Sequence, residues 1–126
     1  MMDYFSEAMK ILAPGKYWVN RSDYIEWDPL QWGPNDVKPT YMQINAIIDQ
    51  LRAAEPMRLL REERDRLLKE SDWVVVYAME HGTDIPLAWR TYRQALRDLP
   101  ATSSPQCWPT DILIPESVNW PTPPNA

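Results

Sequence analysis

The sequence predicts a mainly α-helical fold with a small β part: an N-terminal helix and β-hairpin, a long kinked helix, a helical hairpin, and an extended proline-rich C-terminal arm. Three observations predict it. Apolar residues recur at helical spacing between Tyr41 and Glu70 and again between Trp89 and Leu99. Aromatic and β-branched residues flank a turn-like tetrad between Lys16 and Asp28. Seven of the 13 prolines fall between Pro100 and Ala126, where no helical period survives. Three regions follow: residues 1–39 with the N-terminal helix and hairpin, residues 40–100 with the long helices, and residues 101–126 as the arm.

The first helix is expected over Asp3 to Leu12, where Tyr4, Phe5, Ala8, Met9 and Leu12 share a face and Pro14-Gly15 ends the run. In the hairpin, Tyr17-Trp18-Val19 and Tyr24-Ile25-Glu26-Trp27 bracket Asn20-Arg21-Ser22-Asp23. An isolated hairpin is marginal in water, so a helix or a neighbouring chain must cover its apolar side. Asp28 to Pro39, with three prolines and a glycine around Trp32, reads as a loop.

Thr40 with Gln43 has the spacing of a capping box, in which each side chain accepts from the other residue's backbone N–H. Ile44, Ile47, Ile48 and Leu51 follow on one face. Pro56 removes an i→i−4 bond, so the helix kinks or restarts there. Beyond it, Met57, Leu60, Leu67 and Leu68 continue the stripe. Arg58–Glu62, Arg61–Asp65, Glu62–Arg66, Asp65–Lys69 and Arg66–Glu70 are opposite charges at i,i+4, the mark of a solvated helix surface. Ser71-Asp72-Trp73 ends this helix. Val74-Val75-Val76-Tyr77 is expected to be extended, since β-branched residues favour that conformation, and Ala78 to Thr83 to be a loop. Asp84-Ile85-Pro86 opens the next helix. Its stripe is Trp89, Tyr92, Leu96 and Leu99, and Pro100 closes it, which makes an αα-hairpin. Ile112-Leu113-Ile114 is a short strand candidate. The rest of the arm should be polyproline-like, disordered alone and ordered by a partner.

Composition narrows function. Formal net charge is −5 with one Cys and one His. Phosphate-backbone binding needs clustered Lys and Arg, so nucleic acid and anionic membrane are not expected partners. No apolar run approaches the roughly 20 residues of a membrane span, and Met1-Met2-Asp3-Tyr4 lacks the pattern of a secretory signal. One cysteine gives no disulfide framework. His81 and Cys107 cannot supply a zinc ligand set, and Gly15, Gly33 and Gly82 make no phosphate loop. Neither catalytic residues nor a cofactor or metal site is expected. The acidic residues between Met57 and Glu70 have cationic partners at i,i+4 and read as structural.

Trp, Tyr and Arg are the types enriched at interface hot spots. Trp89, Tyr92, Arg93 and Arg97 share one helix, with Trp73 before it. Two readings stand side by side: a docking surface, or Trp89, Tyr92 and Leu96 packing on the Leu60–Leu67 stripe with the arginines in water. Trp108 and Trp120, with Pro121 after it, lie in a segment without a core of its own and read as interface anchors.

Leu59 to Pro100 resembles a phage family. Its motif is Arg-x-x-Arg-x-x-Leu-Leu-x-x-Ser/Thr-Asp-Trp, then a connector, then Ala-Trp-x-x-Tyr-Arg-x-x-Leu-Arg-Asp. The first half stands here as Arg61 to Trp73, with Arg64, Leu67, Leu68, Ser71 and Asp72 in place. The second runs from Ala88-Trp89 through Tyr92-Arg93 to Leu96-Arg97-Asp98. The pattern is similar to that of the phage tail assembly chaperone family, which includes tail-fibre assembly proteins. Val118-Asn119-Trp120-Pro121 and Lys38-Pro39-Thr40 echo it more weakly. The apolar connector Val74 to Gly82 departs from the family's usual polar, proline-containing one. The resemblance implies a non-enzymatic role in building tails or tail fibres. Other phage tail or tail-fibre proteins would be the partners, alongside self-association. The alternative is a permanent component of the tail, baseplate or fibre attachment. Either role places the protein in the virion tail or the cytoplasm of the infected host. The partner-binding candidates are Trp73, Trp89, Tyr92, Arg93, Arg97, Trp108, Trp120 and Pro121.

Overall fold

The structure is a computed structural model and describes residues 3–21, 24–27, 31–33 and 35–125. It is mainly helical with a two-stranded antiparallel sheet. In chain order the elements are α1 (Tyr4–Leu12), β1 (Trp18–Asn20), β2 (Ile25–Trp27), α2 (Tyr41–Glu70), α3 (Trp73–His81), α4 (Leu87–Thr102) and a 3-10 turn (Pro115–Ser117). The chain divides into two compact units, Met1–Ala53 and Ala54–Ala126, each with its own apolar cluster.

In the first unit, Asp3 caps α1. Its carboxylate accepts from the Ser6 backbone N–H at 3.2 Å and from the Ser6 hydroxyl at 2.6 Å. Those bonds hold the Asp3 carboxyl below its ordinary range. The strands pair as Trp18↔Trp27, Val19↔Glu26 and Asn20↔Ile25. Arg21 N–H donates to the Tyr24 carbonyl at 2.8 Å. Of the expected tetrad, Ser22 and Asp23 lie outside the described residues, as do Asp28, Pro29, Leu30 and Pro34 of the following loop. The hairpin is covered from within the unit. Ile25 joins Ala8, Met9, Ala13, Trp32 and Ile44 in one buried cluster, with Phe5, Trp18 and Trp27 packed against it. Both bonds of the predicted capping box are present: Thr40 N–H to Gln43 Oε1 at 2.9 Å, and Gln43 N–H to Thr40 Oγ1 at 3.1 Å.

α2 is one long bent helix with Pro56 inside it. Pro56 has no N–H for the carbonyl four residues earlier, so the ladder loses a bond without ending. Of the expected i,i+4 pairs, Arg58–Glu62 and Arg66–Glu70 form, and each of these arginines also reaches back three residues. Arg58 bonds both buried Glu55 and Glu62, and Arg66 bonds Glu63 and Glu70. The Glu55 and Glu63 hydrogen bonds raise the two guanidinium pKa values above their ordinary range.

In the second unit three expectations are corrected. First, Val74 to Tyr77 is helical, not extended, and α3 occupies most of the expected loop. Val74 and Ala78, four apart, are buried, so tertiary packing overrides the β preference of the valines. Gly82 (φ 62°) ends α3: its N–H bonds Met79 O at 3.4 Å and Thr83 N–H bonds Ala78 O at 3.0 Å, the Schellman pattern that favours glycine. The helical hairpin therefore has a third helix in its connector. Second, α4 runs past Pro100 to Thr102. Pro100 lies in the last turn, where one missing bond costs little cooperativity.

Third, the C-terminal segment does not form a free extended arm. Cys107 bridges Leu113, with Trp108 N–H to Ile112 O at 2.9 Å and Ile114 N–H to Gln106 O at 2.8 Å. The expected strand at Ile112 to Ile114 is reduced to this bridge. Pro109 sits at the second position of the turn closed by Asp111 N–H on Trp108 O at 2.9 Å, a place suited to its fixed φ. The Ser117 hydroxyl donates to Ile114 O at 2.6 Å and accepts from Gln106 N–H at 3.0 Å. Val118 is 5% exposed and joins Leu60, Tyr92, Leu96 and Leu99 in the unit's core, with Leu113 and Trp120 packed against it. The unit's own core holds this segment through Val118.

Candidate functional site

The family-like motif of α2, α3 and α4 is tied together by one arginine. Arg93, on α4, donates through NH1 to the Leu68 carbonyl at 2.8 Å and the Ser71 hydroxyl at 2.6 Å, and through NH2 to Asp72 Oδ1 at 2.8 Å. The guanidinium thus closes the C-terminus of α2, where unsatisfied carbonyls and the helix dipole favour a cation. Arg93 is buried. The sequence reading had it either in water or on a partner; its three bonds all lie inside the unit. The Ser-Asp before Trp73 and the Arg after Tyr92 belong to one clasp, a pairing across 21 residues that sequence spacing does not reveal.

Around the clasp stands an aromatic ladder. Trp73 on α3 meets Trp89 on α4 edge-to-face, with centroids 5.7 Å apart, and Trp89 meets Tyr92 in the same way at 5.8 Å. Such edge contacts place a ring's positive rim on its neighbour's negative face. Burial is graded along the ladder: Tyr92 is in the core, Trp89 is half-buried and Trp73 is 50% exposed. Burial also raises the Tyr92 hydroxyl pKa, and the Glu70 carboxylate adds to the shift.

Trp73 continues onto an exposed apolar face. Val76 is 53% and Tyr77 55% exposed, at i+3 and i+4 from Trp73, so one side of α3 is apolar and open. Sequence reasoning missed Val76 and Tyr77 because it read the valines as extended. Had the segment been read as a helix, the 73–76–77 spacing was the signal. Two clefts flank the ladder. One, of about 270 Å³, is walled by Trp73, Trp89, Tyr92, Pro121 and Pro123, with Glu70 and Ser71 also on its wall. The other, of about 400 Å³, is walled by Trp73, Tyr77, Trp89 and Pro124 among others.

The structure thus brings together five of the eight partner-binding candidates: Trp73, Trp89, Tyr92 and Pro121 around the clefts, and Arg93 behind them. Arg97 is exposed and donates to Gln94 Oε1 at 3.1 Å. It lines a separate open cleft of about 670 Å³ with Arg90 and Leu87. Trp108 is on the Cys107–Leu113 hairpin and 45% exposed. Trp120 packs against the core.

His81 stacks on Tyr77 at 4.0 Å, with Nδ1 2.9 Å from the Tyr77 carbonyl oxygen. Burial, aided by the Glu55 and Asp111 carboxylates, pushes the Cys107 thiol pKa up, away from the thiolate that nucleophilic chemistry uses. Among the described residues, no three His, Cys, Asp or Glu side chains gather as a metal-ion group. Nor is any helix there long and apolar enough to cross a membrane.

No curated protein and no solved structure matches the chain. A family model does: that of the phage tail assembly chaperone protein, over residues 57–125. The matched span contains the clasp, the aromatic ladder, both clefts and the C-terminal segment.

Proposed function

The chain belongs to the phage tail assembly chaperone family, and on that premise we propose that it serves tail assembly by binding a second tail protein through the open face of α3 and α4. The carrying observation is the exposure of Trp73, Val76 and Tyr77 on a helix whose other side, Val74 and Ala78, is buried. An aromatic left half in water beside a cleft is the usual material of an interface anchor. The role is non-enzymatic, and tail or tail-fibre proteins of the same phage are the clients. Arg93 supports the site from behind by holding α2, α3 and α4 in register.

Co-expression with tail and tail-fibre proteins of the same phage, followed by pull-down, tests this reading. The wild-type chain should retain one of them and raise its soluble yield, whereas Trp73→Ala/Tyr77→Ala should do neither while keeping wild-type helicity by circular dichroism. An unchanged client yield with the wild-type chain counts against the reading.

The alternative is a permanent component of the tail, baseplate or fibre attachment, which a C-terminal segment ordered by Val118 and Ser117 also suits. Mass spectrometry of purified particles separates the two: stoichiometric amounts in the particle would favour the permanent component.

A further inference from the structure

Past Val118 the chain lies outside any helix or strand. From Ser117 to Ala126 it carries no ionisable side chain, and three of the last six residues are proline. Pro121 and Pro123 wall one cleft of the aromatic ladder, and Pro124 walls the other. Trp73 and Trp89 line both, so the prolines and the tryptophan pair share the same cleft walls. Proline rings on tryptophan faces are the basis of polyproline recognition. The segment's φ angles are already fixed, so little entropy is lost on docking, and aromatic rings supply the flat apolar contact.

We propose that the Trp73–Trp89 ladder is a docking groove for an uncharged, extended, proline-containing segment of the client protein, and that Pro121 to Pro124 is a latch standing in the same groove. This deepens the function proposed above and rests on it for the location of the face. The latch leaves clefts of about 270 and 400 Å³ beside the rings, so it guards the groove without filling it. A client segment binds by displacing it. Val118, anchored in the core, keeps the displaced latch nearby and ready to return.

The test uses the full-length chain, a full-length Pro121→Gly/Pro123→Gly/Pro124→Gly variant, and a synthetic peptide of residues 119–125 as the probe, followed by titration calorimetry. A latch tethered this closely has an effective concentration on the order of 1 mM. A peptide binding the triple variant at about 100 µM should therefore bind the wild-type chain about tenfold more weakly. Adding Trp73→Ala to the triple variant should abolish binding. A control peptide with glycine at the three proline positions should not bind. Should the triple variant lose helicity, Pro123→Gly alone replaces it in the same comparison.

Equal affinity of wild type and variant, no peptide binding to the triple variant up to about 1 mM, or equal binding of the glycine peptide would overturn the groove. A micromolar dimer of the full-length chain that the peptide dissociates would assign the occupant to a second copy's tail and overturn the client assignment. Client pull-down that survives while peptide binding fails would sink the latch and leave the docking face standing.

Discussion

The two units use tryptophan in opposite ways. In the first, every tryptophan is covered or half-covered. Trp32 is 7% exposed, its Nε1 donates to the Tyr17 carbonyl at 3.0 Å, and Trp27 meets it edge-to-face at 4.8 Å. Cations close the rings from outside, Lys16 over Trp32 at 5.4 Å and Lys38 over Trp27 at 5.9 Å. In the second unit, Trp73 begins a ladder that runs from core to water, and the nearest buried cation, Arg93, bonds backbone and carboxylate through its NH1 and NH2 groups. The same residue types finish one surface and leave the other open. Composition alone cannot separate an aromatic that completes a core from one that waits for a partner.

The sharpest way to break this contrast is at its closed end. Trp32→Ala should cost about 3–5 kcal/mol, the range for removing a large buried aromatic. Urea unfolding followed by circular dichroism measures it. A loss under about 1 kcal/mol, the level of ordinary surface substitutions, would place Trp32 at the surface and erase the difference between the units.

Next in size is a pair of arginines on one helix. Arg93→Ala removes three charge-assisted hydrogen bonds, to the Leu68 carbonyl, the Ser71 hydroxyl and the Asp72 carboxylate, and should cost about 2–3 kcal/mol, the range for bonds made by a charged group. Arg97→Ala, which loses one exposed bond to Gln94, should stay within about 0.5 kcal/mol. Equal effects in denaturant unfolding would dissolve the clasp.

These two arginines also mark how far the sequence could be read. Local chemistry was legible wherever partners lie within a turn or two. The Thr40–Gln43 box, the α1 stripe, the hairpin around Asn20 and the bend at Pro56 are all set by neighbours in sequence. The misread pieces depend on distant contacts. Val74 to Val76 folds as helix because Val74 and Ala78 are buried by other elements. The C-terminal segment looked unable to order itself because the core partners of Val118, namely Leu60, Tyr92, Leu96 and Leu99, lie at least 19 residues away. Of the candidate site, the aromatic types were legible, but their grading from buried Tyr92 to open Trp73 was not. That grading depends on contacts between α3 and α4, such as Trp73 on Trp89, which are distant in sequence.

A smaller effect sharpens the first unit. Asp3→Ala removes the cap of α1 and should cost about 1 kcal/mol. The sign with pH is fixed by the direction of the shift. The Ser6 hydrogen bonds hold the Asp3 carboxyl below its ordinary value. Its contribution is therefore fully present above the unfolded pKa of about 4, and it fades as pH falls through the lower folded-state value. Thermal unfolding of wild type and variant should differ at neutral pH and converge toward roughly pH 2–3. A gap that persists at that acidity would move the effect from the carboxylate to packing.

A small stability effect is also expected at the open end, and it decides what the contrast means. Trp73 is half in water and its main ring partner is Trp89. Trp73→Ala should therefore cost under about 1 kcal/mol, the loss of one edge-to-face contact and partial burial. Client capture should fall in the same variant. A residue whose removal barely touches folding yet abolishes binding is held at the surface for contact. If Trp73→Ala instead costs as much as Trp32→Ala, then its exposed face is incidental and the ring is a strut of the α3–α4 junction. The ladder would then close the second unit just as the tryptophans close the first.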